Sequence, residues 1–590
     1  MRTFFQSVLG SCLGVILGVL LLFLILAGIG SAFYSQGSEK PKVSSNSVLT
    51  INLAGVLPEK RNNTDVQGFE QLIEQEEILS IHDYAELIER AGNDKDIKGI
   101  YLDMSQVNIG LTKREILEKA IKTFKQSGKF VFAYSDYYST SAYHLATLAD
   151  EIAVFPTGGI DLRGLASIVP HFKTLSDKIG IEFETYFAGK FKSATEPFRL
   201  SEMSEANKLQ TRSYLNSMYN VLLDDIEQNR SIDSIELQQI INAYGARNAT
   251  KAMEFNLVDV VCYEDEFLEK MRDKLGLDED EKINTVSVYD YYKSDPLSKN
   301  YSAKDKIAIV FAEGEIHDGE ERYGSISGEA YVKMIRDIRR DENIKAVVLR
   351  IDSPGGSALA SEKIWRELKL LQEDGIPVIA SMGTYAASGG YYIASGSEYI
   401  ISEPSTITGS IGVFFLLPKV SELMEDKLGI NMDTVKTNNL SAAFTPFFPS
   451  SPVEQELLQS EVDQIYDIFL SRVADARKMT VDQVNEVAQG RVWTGTQAIH
   501  KGLVDQLGSL SDAIDKAASE AEIEEYRITE YPRTKQPFYK FLEQITGEEL
   551  NTSIKLVKGH HLEIAKENLE AELRDWQKPQ ARLPIQFLWD

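Results

Sequence analysis

The sequence predicts an α/β protein made of two tandem copies of one domain behind an N-terminal membrane helix. Three observations carry this. Short β-rich apolar runs alternate with helical stretches, those runs return in the same order in the second half of the chain, and residues 8–33 contain no charged side chain. Alternation of strand and helix signals is the pattern of crossover connections and a largely parallel sheet. A chain of 590 residues is also too long for one core.

The N-terminal segment comes first. Its uncharged run, rich in Leu, Ile, Val and Gly, is long enough to cross a hydrocarbon layer of about 30 Å. A retained anchor is favoured over a cleaved signal peptide because the run exceeds an ordinary h-region, although Gly30 and Ala32 offer small residues near a cut. Arg2 and the amino terminus favour the start staying inside while Lys40 and Lys42 stand on the far flank, and the working expectation is an inner-membrane anchor with the bulk of the chain exported. Residues 1–46 are therefore read as anchor and polar linker.

Composition excludes several functions. Hydrophobic content of 43% and charged content of 26% are those of a globular protein, and the net charge of -27 argues against nucleic acid as a partner. Of the two cysteines, Cys12 lies in the apolar run, so Cys262 has no disulfide partner in the folded part and no zinc or iron–sulfur spacing exists.

The duplication is visible in matched segments. Val48-Leu-Thr-Ile-Asn-Leu53 answers Lys306-Ile-Ala-Ile-Val-Phe311, each reading as a strand followed by a glycine. Asp96-Ile-Lys-Gly-Ile-Tyr-Leu-Asp103 answers Asn343-Ile-Lys-Ala-Val-Val-Leu-Arg350, and Gly128-Lys-Phe-Val-Phe-Ala133 answers Gly375-Ile-Pro-Val-Ile-Ala380. Tyr138 and Ser141 then fall on Tyr385 and Ser388, Asp177-Lys-Ile-Gly-Ile181 on Asp426-Lys-Leu-Gly-Ile430, and Leu257-Val-Asp259 on Leu503-Val-Asp505. The expected domains are 47–290 and 301–525, joined by a polar linker, with 526–590 as an appended tail broken by prolines.

The disagreements between copies point to chemistry. Gly409-Ser-Ile-Gly412 sets Ser410 on a turn that can expose its hydroxyl beside the amide of Ile411, as an acyl-transfer nucleophile requires. Aligned with it, the first copy has Ile160-Asp-Leu-Arg-Gly164, which places Leu162 opposite Ser410. Gly355 and Gly356 of Ser353-Pro-Gly-Gly-Ser357 also have no counterpart in Met104-Ser-Gln-Val-Asn108, and amides without a neighbouring Cβ can approach a ligand closely. In the other direction, Gly189-Lys-Phe-Lys-Ser-Ala194 puts Lys192 opposite Leu440. Each copy lacks what the other keeps, so a complete site combines Ser410 with Lys192 between two domains.

A lysine serves as base only when deprotonated, so Lys192 should be buried in an apolar wall that lowers its pKa. Lys190 is a weaker substitute, and Glu196 is read as structural because a charged carboxylate beside the amine would raise its pKa. None of the seven histidines stands in a site-like context, and His144, the nearest to one, is read as a structural residue.

Together Ser353-Pro-Gly-Gly-Ser357, Tyr385-Ala-Ala-Ser-Gly-Gly-Tyr391, Thr408-Gly-Ser-Ile-Gly412 and Gly189-Lys-Phe-Lys-Ser-Ala194 closely resemble the signal peptide peptidase A family in its long, duplicated form. The resemblance covers about residues 47–525. It implies two Clp-protease/crotonase-like domains and a membrane-anchored serine peptidase that degrades signal peptides already released by processing. It implies Ser410 as nucleophile, Lys192 as general base, and the amides of Gly356 and Ile411 as the oxyanion hole. It further implies a bowl-shaped homotetramer with an apolar lining, at the inner membrane with its catalytic part on the periplasmic side, and no metal, nucleotide or other cofactor. Two other classes stay open, a crotonase-type enzyme acting on an acyl-CoA and a noncatalytic membrane scaffold.

Overall fold

A computed structural model of the chain describes residues 41–62, 77–297, 302–319, 322, 324–533 and 580–582. The predicted membrane helix lies outside the described residues; among those described, no helix is long and apolar enough to cross a membrane.

The first half supplies β1 (Ser47–Leu53), β2 (Ile97–Val107), β3 (Phe130–Ser135), β4 (Tyr138–Ser139), β5 (Glu151–Val154), β6 (Ile160–Asp161), β7 (Glu182–Ala188), β8 (Val260–Val261) and β9 (Asn284–Ser287). Six of these form one sheet in the order β8-β5-β3-β2-β1-β9, with every neighbouring pair parallel. Its strands are apolar on both faces, as a parallel sheet covered on each side by helices requires.

The second half supplies β10 (Lys306–Glu313), β11 (Glu315–His317), β12 (Ser325–Ser327), β13 (Ile344–Ser353), β14 (Gly355–Ser357), β15 (Val378–Ala387), β16 (Tyr399–Ser402), β17 (Ile407–Gly409), β18 (Val413–Lys419), β19 (Val492–Thr494), β20 (Gln506–Leu507), β21 (Arg527–Tyr531) and β22 (Gln580–Arg582). The second half forms an eight-stranded sheet in which β20-β16-β15-β13-β10-β21 repeats the first, β20 standing for β8, β16 for β5, β15 for β3, β13 for β2, β10 for β1 and β21 for β9, while β17 also pairs with β15 and carries β19 antiparallel on its other side. Residues 527–531, assigned to the tail from sequence, thus belong to the edge of this sheet, where β21 pairs with β10. Prolines after this strand drew the boundary too early.

Duplication extends to fine structure. Each half has a helix of 26 residues, Glu205–Arg230 and Pro452–Arg477, started by a capping serine, Ser204 or Ser451, and ended by a residue in left-handed conformation. The last arginine of each reaches an aspartate at 2.7 Å or less, Arg230 to Asp259 and Arg477 to Asp505. Tyr143 donates to the Leu257 carbonyl and Tyr391 to that of Leu503, both at 2.8 Å.

A third sheet, β12-β11-β14-β22-β18-β7, joins the two halves. In it β7 of the first half lies antiparallel to β18 of the second along the whole length of both strands.

Candidate active site

The register of β7 against β18 sets the site. Ala188 is opposite Val413, so the chain leaving β7 toward Lys192 emerges beside the chain entering β18 from Ser410. Ser410 itself sits on a tight turn after β17, where Gly409 has φ 73° and Ser410 φ 50°. A left-handed serine is strained, and such strain accumulates where a side chain must be presented in one direction.

A loop that the sequence did not single out ties both arms together. Ser410 N–H donates to the Arg491 carbonyl at 2.7 Å, Gly490 N–H to the Ile411 carbonyl at 2.7 Å, and Phe191 N–H to the Gln489 carbonyl at 2.8 Å. Gly490 packs so closely that a Cβ there would stand 2.6 to 2.8 Å from Lys192 N, Cα and Cβ; a Cβ on Gly189 would stand 2.5 Å from the Gln489 carbonyl carbon. Gln210 closes the joint, donating to the Phe191 carbonyl at 2.9 Å and accepting from Val492 N–H at 3.2 Å.

These constraints bring Lys192 Nζ to 3.1 Å from Ser410 Oγ, 3.1 Å from the Ser410 carbonyl oxygen and 2.6 Å from Ser388 Oγ. Lys192 is 2% exposed and Ser410 1%. Burial alone drives the Lys192 pKa well below the ordinary lysine range, with no carboxylate opposing it. A neutral amine has two N–H donors and one lone pair, and its three oxygen neighbours match that set. The two N–H groups serve Ser388 Oγ and the Ser410 carbonyl, which leaves the lone pair to accept the Ser410 hydroxyl proton.

Ser388 was aligned with Ser141 from sequence but given no role. It begins the helix Gly389–Ala394 at φ 56°, ψ −115° and makes no side-chain cap, whereas Ser139 accepts normally from Ala142 N–H in the first half. Lys190 is exposed, its Nζ 5.0 Å from the Phe191 ring centroid. Glu196 accepts from Ser204 Oγ at 2.6 Å and Asn207 Nδ2 at 2.9 Å, which anchors the start of the 205–230 helix. His144 contacts Asp225 at 2.7 Å, with Glu118 nearby. Those three could converge on a metal ion, but Lys122 pairs with Glu118, and the charges of Glu118 and Asp225 act on the buried Arg114 guanidinium.

Gly356 lies in β14 at φ 152°, packed against β11 so that a Cβ would meet the Ile316 carbonyl oxygen at 1.9 Å. Ile411 follows Ser410 directly and is fully buried. One alignment needs correction. Tyr138 pairs with Ile160 as Tyr385 pairs with Ile407, so strand register sets Arg163 opposite Ser410, one place beyond Leu162. The glycines of the second-half turn have shifted the linear match, and the first half still offers no hydroxyl there.

Comparison with known proteins agrees with this architecture. The chain matches Peptidase family S49 twice, over residues 123–278 and 370–524. It is 33% identical over 541 residues to Protease 4 of Salmonella typhi, covering 89% of this chain and 87% of that protein. It is 36% identical over 510 residues to Protease 4 of Haemophilus influenzae, covering 84% and 82%. It is 34% identical over 491 residues to the chloroplastic serine protease SPPA of Arabidopsis thaliana, covering 82% and 70%.

Proposed function

Because the chain belongs to peptidase family S49 and is a serine peptidase, we propose that it cuts peptide bonds with Ser410 as nucleophile and Lys192 as general base. The observation that carries this reading is the 3.1 Å approach of a buried lysine amine to the Ser410 hydroxyl, from two repeats of one chain. Lys192 takes the hydroxyl proton as Ser410 attacks the carbonyl carbon, then returns it to the leaving amine as the acyl-enzyme forms. Water, deprotonated by the same amine, releases the acyl group.

The amides of Gly356 and Ile411 serve as the oxyanion donors. Such a donor is worth about 3 to 4 kcal/mol of transition-state stabilisation. Each repeat is of the Clp-protease/crotonase-like kind, the first keeping the lysine and the second the serine. The substrates are hydrophobic peptides, released signal peptides above all, supplied at an inner membrane to which residues 8–33 anchor a homotetramer with its catalytic part exported. The long uncharged run at the N-terminus supports that placement.

Ser410→Ala and Lys192→Ala, made separately in the full chain, should each abolish turnover of an apolar peptide while circular dichroism stays unchanged. Full activity in either variant rejects the dyad.

A further inference from the structure

The third sheet contains a strand from the far end of the chain. β22 lies between β14 and β18, antiparallel to both, with Gly355 opposite Arg582, Gly356 opposite Ala581, Ser357 opposite Gln580, and Phe414 also opposite Gln580. Gln580 is buried. The two neighbours of β22 are the two sides of the candidate active site. One, β14, carries Gly356; the other, β18, begins just after Ser410 and is itself paired with the strand that leads to Lys192. Any polypeptide lying in this slot runs past the nucleophile in extended form, bound on both sides through main-chain groups. A peptide substrate needs that same slot, since backbone pairing holds an extended chain irrespective of its side chains.

We propose that the segment at Gln580–Arg582 is a resident ligand of the peptide-binding cleft, seated where a substrate strand runs, and that it holds the peptidase in a self-blocked state which substrate must displace. The inference rests on the Ser410–Lys192 reading for the position of the chemistry. A three-residue strand binds weakly as a free peptide, but tethering gives it a high effective concentration, so it competes without needing high intrinsic affinity. In the sequence Pro579 and Pro584 flank the segment, and proline has no N–H to donate to a ladder.

The test uses the full chain with a strand-breaking substitution in the tail. Ala581→Pro removes a ladder N–H in a strand that has partners on both sides. Because apparent affinity scales with the fraction of open protein, KM for a fluorogenic apolar peptide should fall by about 5-fold or more, with kcat within about twofold of wild type. Labelling of Ser410 by a fluorophosphonate should accelerate in parallel. A synthetic peptide of residues 576–586 added to this variant should inhibit it competitively. Gln580→Pro is the second variant and should behave alike. Wild-type KM and labelling rate in both variants overturn the proposal. Failure of the dyad reading looks different: there Ser410→Ala keeps turnover, whereas failure of the tail reading leaves turnover dependent on Ser410 and KM unmoved.

Discussion

Ser388 shows how much one side chain can add to the proposed pair of Ser410 and Lys192. Its hydroxyl accepts from Lys192 Nζ at 2.6 Å and is bought into line by a backbone conformation that L-residues seldom adopt. Ser388→Ala should lower kcat/KM by about 10- to 100-fold, or roughly 1.4 to 2.7 kcal/mol. Its signature is in the pH profile: an acceptor favours the ammonium more than the amine, so its loss moves the acid limb of kcat/KM to lower pH, which a purely structural role would not do. Lys192 makes a second prediction. Its folded pKa lies below its unfolded value of about 10.4. The unfolded state therefore binds the extra proton, and stability rises with pH between the two values. Activity rises through the lower of them as the amine is freed. Lys192→Met should be inactive but more stable than wild type at pH 6, with the gain shrinking toward pH 10 in parallel thermal melts.

At the scale of elements, the loop from Ala488 to Val492 splints the two arms that carry Ser410 and Lys192. Gln489 and Gly490 both have positive φ, and Gly490 leaves no room for a Cβ against Lys192. Gly490→Ala should displace Lys192 and cut kcat by about 100-fold, since a shift of about 1 Å in a reacting group has that effect. Gly502→Ala is the control: φ is the same 71°, but the nearest atom to its Cβ is Met479 Sδ at 3.7 Å. It should cost about 1 kcal/mol of stability by chemical denaturation and leave kcat alone. This contrast marks what the sequence made legible. The strands of both sheets and the reciprocal loss of serine and lysine could be read because apolar runs and motifs recur in phase. The splint could not be, because its role depends on backbone angles and on contacts with Phe191 and Lys192 far away in the chain. Ser388 was visible as an aligned serine, but nothing in its neighbours foretold a reversed backbone that turns its hydroxyl from helix cap to lysine partner. β22 was hidden for a similar reason, its pairing being set by β14 and β18 rather than by any apolar pattern of its own.

For the whole molecule, the decisive question is what holds two repeats in a fixed relation, since Lys192 comes from one and Ser410 from the other. Besides the β7–β18 ladder, a buried ion pair crosses between them. Arg350 Nε on β13 donates to Glu59 Oε2 of the first half at 2.8 Å, and both side chains are essentially inaccessible. Arg350 also donates to Ser381 Oγ and the Met382 carbonyl at 2.9 Å, and His82 Nε2 lies 2.9 Å from Glu59 Oε2. Burial pushes the Glu59 carboxyl up, but Arg350 and His82 outweigh it and hold it well below its usual range. The stabilisation is therefore present above the unfolded carboxylate pKa of about 4.3 and lost as pH falls toward the folded value. Removing one partner strands the other in a dry interface, so Glu59→Leu and Arg350→Leu should each cost about 3 to 5 kcal/mol in urea unfolding at pH 7. The double variant leaves no stranded charge and should cost clearly less than the two losses added together. Turnover should follow the same order, because loosening this contact loosens the approach of Lys192 to Ser410. Additive losses in the double variant would show that the pair does not couple the repeats and leave the β7–β18 ladder and the contacts of Gln489–Val492 with Phe191 and Gln210 to align them.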